Sequence, residues 1–181
     1  EIGQLTANEF SLRVELTSKK EIGEDQAISL ENVERESTQI KIENIISKVR
    51  GIIDQAHIKV NNNQQIEISH HYGIDQFEKF GLSMLTQINR EYCKKILVLL
   101  PNQTNPEHYH LEKEESFILL NGDLTVWLNG QIHEMQLGEI LVIPRSVKHS
   151  FSSKLGCIVE EISTNHKAND SYYSDANINK D

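Results

Sequence analysis

The feature that most constrains the fold of this chain is a series of short apolar segments that begins at residue 82. Turn residues separate these segments, and Asn129-Gly130 between two of them is the strongest short-range hairpin pattern. Short strands at this spacing predict an all-β sandwich or barrel. We assign strands to residues 82–89, 95–100, 116–120, 124–128, 132–136, 139–143 and 157–162.

A helical pattern precedes the strands. Aliphatic residues recur at helical spacing over residues 40–57 with charged residues between them, which predicts an amphipathic helix. Its apolar stripe can pack on the core of this chain or on a partner chain, and we favour the core. The chain then divides into an N-terminal α/β region, a barrel and a polar tail that is flexible or docked on a partner: residues 1–63, 64–165 and 166–181.

Charge and hydropathy exclude several classes of partner. The net charge is -9 and the isoelectric point is about 5.4, which argues against binding to nucleic acid or to anionic membrane surfaces. No apolar run approaches the roughly 20 residues that span a bilayer, and no signal peptide is recognisable. The two cysteines, Cys93 and Cys157, lie in apolar stretches and lack metal-type spacing. We therefore expect a cytoplasmic protein with buried, reduced thiols.

Metal-ligating residue types concentrate in the second half of the chain. His108 and His110 point to the same side of an extended segment, and Glu115 begins the next strand. His149 follows later and shares a strand face with Phe151. Three imidazoles and a carboxylate that converge in a barrel form a site for a divalent Zn, Mn, Fe or Ni ion. The alternative is a barrel that kept these residues without binding a metal.

These residues resemble the two-part signature of the cupin superfamily over residues 102–153. The first motif is matched by His108, His110, Glu115 and Gly122, and the second motif is matched by Gly138, Pro144 and His149. Asn102 and Ser146 replace motif glycines, and Ser153 replaces an asparagine. The resemblance implies a cupin double-stranded β-helix, a jelly-roll barrel, with a helix-containing N-terminal region. It also implies that the metal is held by His108, His110, Glu115 and His149.

Lysine and glutamate side chains near this motif are candidate proton carriers. Lys113 lies between His110 and Glu115 in a pattern that resembles the metal motif of D-lyxose isomerase-type cupins. In such a site a lysine and a carboxylate could move a proton between adjacent sugar carbons. The alternative is a solvent-exposed lysine in a charged turn. Glu160 and Glu161 are adjacent in a strand, so one of them faces the barrel interior, and the sequence leaves open which one.

Substrate-binding candidates follow from charge and position. A local basic cluster contains Arg90, Tyr92 and Lys95, and it is either a solvated strand edge or a site that captures a sugar carboxylate or phosphate. His70 and His71 are adjacent on a strand and cannot both face one site, so we place His71 at the barrel mouth. The candidate substrate-binding residues are therefore Arg90, Tyr92, Lys95, His71 and Phe151.

A second resemblance concerns the context of the domain. Residues 67–73, 89–95 and 160–164 are similar to the cupin module at the C-terminal end of sialic acid (N-acetylneuraminate) synthase-like proteins. Residues 18–23 and 28–33 resemble the start of the antifreeze-like domain of such enzymes. The resemblance implies that this chain, which begins at Glu1, is an accessory piece of a longer synthase.

Three functional hypotheses remain. The first is a domain that binds or processes a sugar or sugar acid within sialic acid biosynthesis. The second is a metal-dependent aldose–ketose isomerase in which Lys113 and the inward glutamate carry protons. The third is a non-catalytic module for dimerisation or ligand sensing. We also expect a homodimer formed by edge strands, to which the helix and the tyrosine-bearing tail can add contact area.

Overall fold

A computed structural model describes residues 30–61 and 64–178 of the chain. A long helix, α1, spans Leu30–Gln55, and a short 3-10 turn at Ile74–Gln76 leads into a single-turn helix, α2, at Phe77–Phe80. The remaining elements are eleven strands. They are β1 (Glu67–His70), β2 (Gly81–Asn89), β3 (Tyr92–Leu99), β4 (Gln103–Tyr109), β5 (Glu115–Gly122), β6 (Leu124–Leu128), β7 (Gln131–Met135), β8 (Ile140–Ile143), β9 (His149–Ser153), β10 (Cys157–Thr164) and β11 (Tyr172–Tyr173).

The strands form two antiparallel sheets that face each other. The first has the order β1-β2-β3-β10-β5-β8 and the second the order β11-β4-β9-β6-β7. Strands that are distant in sequence are neighbours in both sheets, as in a jelly roll. The all-β prediction with a helix-containing N-terminal region is therefore confirmed. The α/β character predicted for residues 1–29 lies outside the described residues.

The central strands of the first sheet are buried on both faces. In β3 and β10 alternate residues such as Leu97 and Val159 point between the sheets, where they pack with Phe117 of the same sheet and Phe151 of the opposite sheet. The residues between them point outward and are covered by α1. The contacts on this outer face join Ile45, Val49 and Ile53 of the helix to Leu85, Ile96, Val98, Leu100 and Ile158 of the sheet. The apolar stripe of α1 therefore packs on the core of its own chain, and the helix begins earlier than residue 40.

The C-terminal segment belongs to the barrel. Strand β11 extends the second sheet, where Tyr172 pairs with Tyr109 and Tyr173 pairs with His108. Near the end of the described chain, Ile178 is also buried. The segment that the sequence analysis separated as a flexible or partner-docked tail is thus docked on its own chain as far as residue 178. The sequence shows no pattern for this strand, because the segment is polar and the strand is only two residues long.

Left-handed backbone conformations occur where the cupin-like motifs place glycine. Gly122 and Gly138 have φ values of 83° and 78°, and the two replacements, Asn102 and Ser146, have φ values of 65° and 64°. A Cβ atom at position 122 would lie 2.0 Å from the carbonyl oxygen of Gly156, so only glycine fits there. At Asn102 and Ser146 the motif geometry is kept in spite of the substitution, at the modest cost that a non-glycine residue has in this region.

One carboxylate at the β5–β6 turn joins two neighbouring turns of the barrel. Asp123 accepts hydrogen bonds from the backbone N–H groups of Lys154 and Leu155 at 2.9 and 2.7 Å, and from the Ser153 hydroxyl at 3.1 Å. Burial alone would raise the pKa of Asp123, but these three donors hold it below its usual value of 3.8. Asp123 therefore stabilises the folded chain in its ionised form.

This shift predicts a pH-dependent stability difference. The contribution of Asp123 is complete well above its unfolded pKa and is lost as the pH falls through its lower folded pKa. We expect Asp123→Ala to lower the free energy of unfolding by about 1–2 kcal/mol at pH 7. That difference should shrink as the pH falls below about 4. Urea unfolding of both proteins between pH 3 and 7 measures it, and a difference that stays constant across this range contradicts the role of the ionised carboxylate.

Candidate metal centre

The pairing of β4 with β9 brings the predicted histidines together. His108 lies directly opposite His149 in the antiparallel register, and His110 follows one residue after the end of β4. A ring nitrogen of each histidine lies within 4.8 Å of one from each of the other two. Glu115, the first residue of β5, reaches the same point from the other sheet. All four side chains are less than one-tenth exposed, so the cluster lies inside the barrel.

The orientation of each imidazole ring is fixed by a main-chain carbonyl. The Nδ1 atoms of His108 and His149 lie 2.9 and 3.0 Å from the carbonyl oxygens of Pro106 and Val147. The Nδ1 atom of His110 lies 2.7 Å from the carbonyl oxygen of Asp170. A carbonyl oxygen only accepts, so Nδ1 carries the proton on every ring and Nε2 presents a lone pair to the cluster.

The carboxylate of Glu115 faces these lone pairs. Its Oε2 lies 3.1 Å from Nε2 of His149, and its Oε1 lies 3.5 Å from Nε2 of His110. In this tautomer both sides are acceptors, and within the described residues these two nitrogens and Glu115 Oε2 have no hydrogen-bond partner. Buried acceptors that face one another are costly unless a cation lies between them. The residues therefore fit a divalent ion with nitrogen and oxygen ligands.

The ionisation of the cluster agrees with this fit. Burial, reinforced by repulsion from His149, holds the pKa of His108 well below its usual value of 6.5, so the ring is neutral. Burial alone would raise the pKa of Glu115, but the Lys113 ammonium holds it well below its usual range. A neutral imidazole and an ionised carboxylate are the forms that bind metal.

Lys113 is buried beside the cluster rather than exposed in a charged turn. Its Nζ forms a short ion pair with Glu115 and lies 3.2 Å from Oε1 of Glu161. Burial alone would lower the pKa of Lys113, but the two carboxylates raise it above its usual value of 10.5. Glu161 also accepts a hydrogen bond from the Ser163 hydroxyl at 3.1 Å. The interior therefore contains a charged lysine between two carboxylates, adjacent to the three imidazoles.

Strand alternation in β10 separates the two adjacent glutamates. Glu161 points into the barrel and is 4% exposed, whereas Glu160 points to the other face and pairs with Lys94 at 2.5 Å. The structure therefore does not bring Glu160, a predicted catalytic candidate, to the interior cluster. The sequence alone could not decide this, because both registers of the strand were compatible with its pattern.

The predicted substrate-binding residues divide in the same way. Lys95, His71 and Phe151 line a polar cavity of about 170 Å³ that opens beside the histidines. Arg90 and Tyr92 are exposed at the turn between β2 and β3 and do not line it. The structure therefore brings Lys95 to the cavity but not Arg90 and Tyr92, because Lys95 faces inward and the other two lie at the exposed end of the strands.

Residues of the C-terminal segment also line the cavity, and the sequence analysis did not assign them to the site. They are His166, Ser171 and Tyr173. The sequence contains one indication, the pair Tyr172-Tyr173, which the sequence analysis assigns only to added contact area in a homodimer. His71 is held at the same wall by a 2.9 Å contact between its Nε2 and Oδ1 of Asn105. One wall of the cavity is therefore formed by β1, β4 and the C-terminal segment together.

The fold and the motif together are similar to those of cupins. The sequence profile of the cupin domain family matches residues 95–155, which contain all four residues of the cluster. The superfamily resemblance expected from the sequence is thus confirmed, and the jelly-roll barrel with its N-terminal helix is a cupin fold. Within the described residues, no helix is long and apolar enough to cross a bilayer.

Relatives and solved structures extend the similarity beyond the motif. A D-lyxose/D-mannose isomerase of Thermosediminibacter oceani is 28% identical, over 77% of this chain and 94% of that protein. A D-lyxose ketol-isomerase of Thermofilum sp. is 27% identical, over 74% of this chain and 91% of that protein. The ligand-free L-ribose isomerase of Cellulomonas parahominis superposes with a TM-score of 0.64 at 14% identity, over 77% of this chain and 93% of that one. This superposition shows the shared fold.

The metal centre predicts a defined stoichiometry. We expect one Zn²⁺ or Mn²⁺ ion per chain, and loss of that ion in His108→Ala and His149→Ala, because each change removes one inward Nε2. His133→Ala is the matched control, because His133 is a half-exposed histidine paired with Glu139 away from the cluster. Elemental analysis after dialysis against the metal measures the content. An unmodified protein that binds no ion, or a His149→Ala variant that retains it, contradicts the assignment.

Proposed function

We propose that this protein is a metal-dependent aldose–ketose isomerase that acts on a small sugar. The observation that carries the proposal is the buried Lys113–Glu161 pair next to the histidine cluster, in a small polar cavity. A base and a charged hydrogen-bond donor beside a candidate metal site are the groups that moving a proton between adjacent carbons requires. The isomerases among the relatives support the same activity.

The proposed ligands of the metal are His108, His110, His149 and Glu115. When bound, a divalent ion supplies Lewis-acid polarisation of a carbonyl and its neighbouring hydroxyl. The chain itself contributes the fixed rings: three main-chain carbonyls hold the Nδ1 protons, so no ring has to rotate before its Nε2 can bind. The ligand types leave Mn, Fe, Ni and Zn open as the native ion.

Glu161 is the proposed base. Isomerisation removes a proton from the carbon that bears a hydroxyl and returns it to the adjacent carbonyl carbon, while a second proton moves between the two oxygens. The Glu161 carboxylate is held by Lys113 and Ser163, and it faces the cavity in which the sugar would lie. It can take the proton from one carbon and deliver it to the next without leaving its strand position.

Lys113 is the proposed donor to the substrate oxygen. Because its pKa is raised by the two carboxylates, the ammonium group stays charged at neutral pH. A charged lysine cannot act as the base, but it stabilises negative charge that develops on a sugar oxygen during proton transfer. The short ion pair with Glu115 also connects Lys113 to the metal centre.

The cavity limits the substrate to a small polar molecule. Its volume of about 170 Å³ is below the range of about 300–1,000 Å³ typical of sites for drug-sized ligands. The walls offer several polar groups that match sugar hydroxyls, among them Lys95, His71 and Tyr173. We therefore propose a monosaccharide as the substrate. An accessory role in a sialic acid synthase-like protein stays a prediction from the sequence resemblance.

A homodimer is also proposed, on the basis of exposed aliphatic residues at the sheet edges. Ile132, Leu137, Ile140 and Val142 lie in or next to the edge strands β7 and β8, and each is at least 50% exposed. Unpaired edges with aliphatic side chains favour pairing with a second copy. Light scattering at micromolar concentration is expected to give twice the chain mass, and a monomer there contradicts the proposal.

Activity measurements on metal-loaded protein test the isomerase. We expect turnover with at least one member of a panel of aldoses and ketoses. Glu161→Gln and Lys113→Ala should lower kcat by about 10²–10⁴-fold while the metal content is retained, because general acid–base groups contribute on this scale. Glu160→Gln and Lys94→Ala are matched controls, because this pair lies on the opposite face of the same strands.

Two outcomes contradict the proposal. The first is a metal-loaded protein that turns over no sugar of the panel, with sugar binding that Lys113→Ala leaves intact, as a non-catalytic binding module would behave. The second is equal loss of activity in Glu161→Gln and Glu160→Gln, which would indicate a general structural effect of charge loss in β10.

A further inference from the structure

One of the three main-chain carbonyls that orient the histidine rings comes from the C-terminal segment. The carbonyl groups that hold His108 and His149 come from two residues earlier in the same stretch of chain. The carbonyl that holds His110 comes from Asp170, which is 60 residues away in sequence. The orientation of one ring out of three therefore depends on where the C-terminal segment is docked.

The side chain of Asp170 holds the part of this segment that lies against the turn after His110. Its carboxylate accepts hydrogen bonds from three consecutive backbone N–H groups, those of Leu111, Glu112 and Lys113, at 2.8–3.1 Å. Asp170 is 5% exposed, so these bonds are made away from solvent. Hydrogen bonds from amides to a buried carboxylate are among the stronger ones in proteins. The residue therefore joins the turn after His110 to the C-terminal segment.

The same turn carries the groups that the site uses. It begins at His110, ends at Glu115, and includes Lys113, whose own N–H is one of the three donors to Asp170. The carboxylate of Asp170 thus fixes the main chain of the turn that carries His110 and Lys113. The main-chain carbonyl of Asp170 at the same time holds the His110 ring. Within the described part of the chain, no other acidic residue accepts hydrogen bonds from the backbone of this turn and also holds a cluster histidine with its main-chain carbonyl.

We propose that Asp170 is a positioning residue of the metal centre, which locks the His110 ring and the 111–113 turn in the geometry that binds the ion. This inference rests on the metal site of the proposed function but not on isomerase activity. The physical basis is that groups bonded to the non-ligating nitrogen of a metal-binding histidine set its tautomer and direction. If the carboxylate is lost, both the ring and the turn gain freedom that metal binding must then remove.

Reciprocity follows from this coupling. If the Asp170 contacts strengthen ion binding by a given factor, the bound ion must strengthen those contacts by the same factor. The N–H groups of Leu111, Glu112 and Lys113 should therefore exchange with solvent more slowly when Zn²⁺ is bound. The amides of Lys154 and Leu155, which Asp123 holds in a similar way at a different turn, should not respond.

Zinc affinity of matched variants provides the first test. In competition with a fluorescent chelator, Asp170→Ala is expected to bind Zn²⁺ about 10–100-fold more weakly than the unmodified chain. Asp170→Asn keeps one acceptor oxygen and should fall between the two. Asp123→Ala is the control, because it also removes a carboxylate that accepts backbone N–H groups of a turn but leaves the metal centre untouched.

A nitrogen-detected spectrum of the metal-free proteins gives a readout that a general loss of stability does not change. The unmodified chain and Asp123→Ala should show His110 with its proton on Nδ1, whereas Asp170→Ala should show a mixture of tautomers. Unchanged zinc affinity and an unchanged His110 tautomer in Asp170→Ala overturn the proposal. So does an equal loss of zinc affinity in Asp123→Ala.

Hydrogen exchange on the unmodified chain keeps the test decisive if Asp170→Ala does not fold. Slower exchange at residues 111–113 on addition of Zn²⁺, with no change at 154 and 155, supports the proposal, and no slowing at 111–113 overturns it. The result is separable from the proposed function. A chain that binds Zn²⁺ in an Asp170-dependent manner but isomerises no sugar retains this inference and loses the isomerase, whereas a chain that binds no Zn²⁺ loses both.

Discussion

The arrangement of this protein depends on a set of acceptors that face one another inside a barrel. Three main-chain carbonyls fix the protons of His108, His110 and His149 on Nδ1, and this leaves the Nε2 lone pairs of His110 and His149 facing the carboxylate of Glu115. Without a cation such a cluster is repulsive and poorly solvated; with one, each lone pair becomes a ligand bond. The histidine nitrogens and Glu115 in the interior of the barrel therefore fit a bound cation.

The two sheets of the barrel hold different groups of the site. The central strands of the first sheet are buried on both faces by α1 and by the interior core, so β3 and β10 are rigid supports for Lys95 and Glu161. The second sheet places two histidines opposite each other through the β4–β9 register. Lys113, in the turn that leads from β4 to β5, forms ion pairs with carboxylates of β5 and β10, which are neighbouring strands of the first sheet. Because these supports are packed, the polar groups can be held close without solvent.

Much of this could be predicted from the sequence, and the misses have physical reasons. The strand series, the helix and the four-residue cluster followed from periodicity and spacing, and the left-handed conformations at Asn102 and Ser146 agree with the glycine positions of the motif. The sequence could not show which face of the sheet Glu161 points to or that Lys113 is buried. The register of a strand and the burial of a charged turn both depend on contacts with residues distant in sequence. The contact from Asp170 to His110 spans 60 residues and leaves no periodic trace.

The central claim is that the three Nε2 atoms and the Glu115 carboxylate hold one divalent ion. Anomalous diffraction at the manganese or zinc absorption edge, from crystals grown with the metal, tests it most directly. The account predicts a single strong peak per chain within bonding distance of His108, His110, His149 and Glu115. A peak bonded to other residues, or an empty cluster in crystals saturated with either metal, would contradict it.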